Sequence, residues 1–148
     1  MGVMGRITHG VDSEETYLTA LIFCEKVITD RETGSSTLVS AFNTIEIAAF
    51  PSRSTRFSIY LALARGHSDE REFYVGITAP DGDVVMRGGF KIDDWGDALT
   101  SEMVLTMSEM PLPTAGLYVV RVFVADRVLM ERYIDVRTTP QSPAVQGD

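Results

Sequence analysis

The stretch "PLPTAGLYVVRVFVADRVLMERYIDV" (residues 111–136) decides how the rest of the chain is read. Pro111, Pro113 and Gly116 form a corner, followed by two apolar runs, 117–125 and 128–136, with only Asp126-Arg127 between them. Valine-rich runs joined by so short a polar break predict a pair of antiparallel strands. Tyr118 lies six residues after Leu112 and two after Gly116. A strand entering a core from a corner leaves backbone groups unpaired, and a tyrosine there can fill space and satisfy them. The spacing predicts a tyrosine corner, with the hydroxyl bonded to the backbone a few residues upstream.

Working outward, "TRFSIYLALAR" (55–65) alternates cleanly, with Phe57, Ile59, Leu61 and Leu63 on one face and Ser58, Tyr60, Ala62 and Ala64 on the other. That is the period of a strand with one buried face. Phe73, Val75 and Ile77 repeat the pattern, and "PDGD" (80–83) is a turn that leads to "VVMRGGFKI". Two further runs, 17–29 and 37–50, flank the Gly-containing loop "DRETGSS" and are expected to pair as strands. The segment 99–110 fits a helical stripe of Leu99, Met103, Met107 and Met110, but its β-branched residues and its neighbours favour a strand. The expectation is an all-β, antiparallel sandwich of about eight strands, because alternating strands must cover their apolar faces. Residues 1–16 and 138–148 read as flexible tails around a single domain, 17–137.

Composition narrows the function. The chain has 148 residues, 45% hydrophobic and 23% charged, as in ordinary globular domains. Its net charge of −8 disfavours a nucleic-acid partner. No run approaches the roughly 20 apolar residues that span a bilayer, so the expectation is no membrane partner and a cytoplasmic location. The single cysteine, Cys24, excludes an intrachain disulfide framework.

Chemistry finds little to use. His67, Ser68 and Asp69 are consecutive and cannot form a triad among themselves, and His9 falls in a tail. One cysteine and two distant histidines cannot build a closed transition-metal site. Asp93, Asp94 and Asp97, joined by Asp81 and Asp83 if their loops meet, are weak candidates for calcium. No catalytic residue and no cofactor is expected. Trp95, in the same acidic loop, reads either as a lid on the core or as an exposed anchor. Two strands are apolar on both faces: Leu21 and Phe23 lie opposite Ile22 and Cys24, and Val119 and Phe123 opposite Tyr118, Val120 and Val122. A two-layer sandwich wets one face of each sheet, so such strands imply a covering segment or a partner.

In order and spacing, three stretches together resemble an uncharacterised bacterial family of small β-sandwich proteins, a domain of unknown function. They are "ALIFCEKVITDRETGSSTLVSAFNTIEIAAFP", "FYVGITAPDGDVV" and the stretch at 111–136. The resemblance covers roughly residues 20–137; it implies an immunoglobulin-like fold and no activity. The resulting expectation is a non-catalytic binding or assembly module, with Trp95, Phe123 and Phe23 as binding residues and a protein or a second copy as partner. The rival expectation is a small-molecule or carbohydrate binder, calcium-assisted, using the end loops around Trp95.

Overall fold

A computed structural model describes residues 15–65, 71–92 and 95–140. Four strands form one sheet: β1 (Tyr17–Thr29), β2 (Ser36–Phe42), β5 (Phe57–Ala64) and β8 (Thr100–Met107), in the order β2-β1-β5-β8. Five form the other: β3 (Thr44–Ile47), β6 (Glu72–Thr78), β7 (Val84–Lys91), β10 (Gly116–Val124) and β11 (Arg127–Thr138), in the order β3-β11-β10-β6-β7. Two residues each from β4 (Ser52–Arg53) and β9 (Pro111–Leu112) make a small ribbon. The eleven elements replace the expected eight, mainly because short pieces of the predicted runs pair separately.

Alternation does what the sequence implies. Phe57, Ile59, Leu61 and Leu63 of β5 are fully or almost fully buried, and they meet Phe73, Val75 and Ile77 of β6 and Tyr118, Val120 and Val122 of β10 in one core. Residues 100–107 form a strand, with Met103, Leu105 and Met107 opposite Leu61, Ile59 and Phe57. The helical spacing of the methionines there is overridden by pairing with a strongly alternating neighbour. Phe42 closes one end of the core, its ring 6.2 Å from Phe23 and 5.7 Å, edge-on, from Phe57.

The tyrosine corner is present. The Tyr118 hydroxyl donates to the Thr114 carbonyl at 2.6 Å and accepts from the Thr114 N–H at 3.3 Å. Gly116 beside it has φ +137°, and a Cβ there would stand 2.7 Å from Pro80 Cγ, so only glycine fits.

One expectation is corrected. The run 37–50 is not a single strand of an antiparallel sheet. It switches sheets at Asn43, and β3 then pairs parallel to β11, Thr44 opposite Asp135 through Ile47 opposite Thr138. The Asn43 carbonyl accepts from the Asp135 N–H at 2.8 Å, which carries the backbone bonding across the switch. Thr139 N–H bonds to the Ile47 carbonyl, so ordered structure continues past residue 138, where a tail was expected.

Candidate functional site

The outer face of the five-stranded sheet gathers the side chains that the core leaves over. In β10 the residues out of phase with Tyr118, Val120 and Val122 are Leu117, Val119, Arg121 and Phe123, which therefore point away from the core. Pairing carries this face sideways. Phe123 lies opposite Tyr74 and Val128, Arg121 opposite Gly76 and Glu131, Val119 opposite Thr78 and Tyr133. Gly76 in turn lies opposite Arg87, and Thr78 opposite Val84.

Tyr74 and Phe123 stack at 5.8 Å between ring centroids. Beside them, Gly76 leaves a floor without a side chain, walled by Val84, Arg87 and Arg121, and the resulting groove holds about 540 Å³. Exposure is high for apolar residues: Leu117 54%, Tyr133 50%, Val128 50% and Tyr74 39%. The Arg121 Nε donates to Glu131 at 2.5 Å, whereas Arg87 has no ion-pair partner among the described residues. The bases Arg87, Lys91, Arg121 and Arg137 on this face equal in number the acids Glu46, Glu72, Glu131 and Asp135. The face is thus charge-balanced on a chain of net charge −8. Arg137 and Asp135 are paired side by side, and the carboxylate pushes the guanidinium pKa above its ordinary value.

The structure places the three residues named for binding differently. Phe123 lies on this face. Phe23 points the other way into the core, 1% exposed, because alternation along β1 puts it in phase with Leu21. Trp95 is 3% exposed and acts as the lid, with the Arg65 guanidinium 6.0 Å from its ring centroid. An indole closing the end of a core offers no anchor to a ligand. Tyr74, Leu117 and Tyr133 were not singled out in the sequence; the signal was their position one residue out of phase with the buried alternation.

The acidic turns do not converge. Asp81 and Asp83 occupy the turn before β7, and Asp97 follows its other end. The eight residues of β7 separate those turns by roughly 26 Å at about 3.3 Å per residue. The Asp81 carboxylate accepts from the Asp83 N–H at 3.0 Å, a local turn bond. Asp93, Asp94, His67, Ser68, Asp69 and His9 lie outside the described residues. Among the described residues no group of three or more His, Cys, Asp or Glu side chains could hold a metal ion. No helix there is long and apolar enough to cross a membrane.

The opposite outer face, on the four-stranded sheet, is more closed. Cys24, between Ala41 and Ser58, is completely buried, and burial raises its thiol pKa. Tyr60 is half-buried and its pKa is pushed up to about 12, first by burial and then by the neighbouring Glu102 carboxylate. Glu102 also accepts from the Ser36 hydroxyl at 2.8 Å, which ties β2 to β8. A thiol held neutral and enclosed is a packing group, not a nucleophile.

Two packed sheets with a tyrosine corner define an immunoglobulin-like β-sandwich. The chain belongs to a family of unknown function (DUF6941), whose model matches residues 19–137. A solved structure of an immunoglobulin-like protein from Pseudomonas aeruginosa is similar at 18% identity and a TM-score of 0.41, covering 83% of this chain and 97% of that one. No curated protein matches.

Proposed function

We propose that the chain is a non-catalytic interaction module that docks a protein surface on the outer face of its five-stranded sheet. One observation carries the reading. Of the exposed large apolar side chains among the described residues, Tyr74, Val84, Leu117, Val128 and Tyr133 share this face, leaving Ile28, Leu99 and Val104 elsewhere. An aromatic-rich apolar patch with arginines at its margin has the composition of protein interfaces. Ligand capture by loops around Trp95 lacks its anchor, since the indole is interior.

The test is quantitative capture by the immobilised full chain and by Leu117→Arg, a change at an exposed position that leaves the core intact. A stoichiometric protein captured by the wild type and lost with Leu117→Arg is the expected result. Equal capture by both forms would refute the assignment of the surface.

A further inference from the structure

Resting on the reading of this face as a docking surface, we infer that its occupant is a second copy of the same chain, related by a two-fold axis running along β10. The charge pattern argues for it. Arg87, Gly76, Arg121 and Glu131 stand in one cross-strand row, with Arg87 on edge strand β7 and Glu131 on the far side of β10. Rotation about an axis parallel to the strands keeps every row at its level and exchanges left for right. It lays β10 on β10 and β6 on β11.

Glu131 of each copy then comes over Gly76 of the other, the floor without a side chain between Arg87 and Arg121, twice by symmetry. This offsets the meeting of Arg121 with its own copy on the axis. In the next row Tyr74 meets Val128, and Phe123 meets its own copy. The orthogonal choice, with the axis across the strands, would set β7 against β7 and crowd the Arg87 and Lys91 cations of the two copies along one edge. Elsewhere two chains of charge −8 repel, whereas this charge-balanced face does not. Five strands spaced ~4.8 Å and a central strand ~30 Å long give on the order of 700 Å² per copy. A stable interface uses about 800 Å² per partner. The face is isologous in the required sense, since its two halves complement each other.

Sedimentation velocity on the full chain between ~1 and ~200 µM, a span that reads micromolar dissociation constants, tests the pairing. The wild type should dimerise. Arg87→Glu and Glu131→Arg alone should each weaken dimerisation at least tenfold, the first by setting carboxylate against carboxylate across the axis, the second by setting guanidinium against guanidinium. An equimolar mixture of the two variants should recover it, because the mixed dimer again places opposite charges together. Val104→Glu, on the outer face of the other sheet, should leave it unchanged. Melting curves of each variant separate lost pairing from lost folding.

Failure of the mixture to associate while both variants remain folded overturns the axis. A wild type that stays monomeric overturns self-pairing altogether. In that case capture of a different protein that is abolished by Leu117→Arg would leave the docking surface standing without the symmetric partner.

Discussion

Replacing Tyr118 with phenylalanine isolates the corner from the core. The ring is completely buried, and phenylalanine keeps its packing. What disappears is one oxygen that donates at 2.6 Å to the Thr114 carbonyl and accepts at 3.3 Å from the Thr114 N–H. Both partners are backbone groups at a partly buried corner, so the loss strands them rather than exchanging them for water. An unsatisfied group of this kind costs about 1–3 kcal/mol, and the short, well-formed bond to the carbonyl places the expected value near ~2 kcal/mol. For a domain of about 120 residues that corresponds to a fall in Tm of roughly 5–10 °C. Urea unfolding followed by circular dichroism measures it, with an unchanged m-value showing that the transition remains two-state. Thr114→Ala is the control: it removes an exposed side chain and keeps both backbone groups, so stability should hold. A loss below ~0.5 kcal/mol for Tyr118→Phe, or an equal loss for Thr114→Ala, would refute the argument that the hydroxyl bonds hold the corner.

Alkaline pH should unfold the protein earlier than its acidic composition suggests. The Tyr60 pKa is raised to about 12 in the folded chain, against ~10 when unfolded. Its contribution is therefore complete below pH ~10 and is lost as pH rises toward 12, worth about 1–2 kcal/mol. Tyr118 and Cys24, both raised mainly by burial, add to the same trend. Thermal melts across this range should show a steep decline that Tyr60→Phe makes shallower, and an unchanged slope would contradict the burial argument. Gly116→Ala should destabilise by ~2 kcal/mol or more, because a Cβ would lie 2.7 Å from Pro80 Cγ at φ +137°. A melting temperature within a degree or so of the wild type would show that the corner relaxes around the added methyl.

Strands with one buried face announced themselves. In β5 and β6 the alternation of Phe57 to Leu63 and Phe73 to Ile77 maps directly onto the core. The corner was legible for a different reason, since proline, glycine and tyrosine constrain the backbone locally. The sheet switch at Asn43 was not, because the run through Phe42, Ile45 and Ile47 keeps its apolar character while its hydrogen-bond partners change. Which sheet a strand joins is set by pairing across long sequence separations, and local pattern does not encode that. The candidate surface was half legible. The two-sided character of β10 pointed to Phe123, but Tyr74 and Tyr133 reach the same face only through register. Trp95 was legible in part: its polar loop left a lid on the core and an exposed anchor both open, and the indole folds inward over the core.

The parallel pairing of β3 with β11 also sets an order of events during synthesis. Residues 44–47 leave the ribosome some ninety residues before their partners at 135–138. At ~5–20 residues per second, that interval is several seconds or more. Throughout it the β1–β2 hairpin can form, but β3 has no sheet to enter, and Ile45 and Ile47 remain uncovered. The sandwich closes only when its last strand arrives. A nascent chain stalled before residue 135 should consequently be protease-sensitive from Asn43 onward, and a few codons at the far end would govern when the first third of the protein becomes safe from degradation.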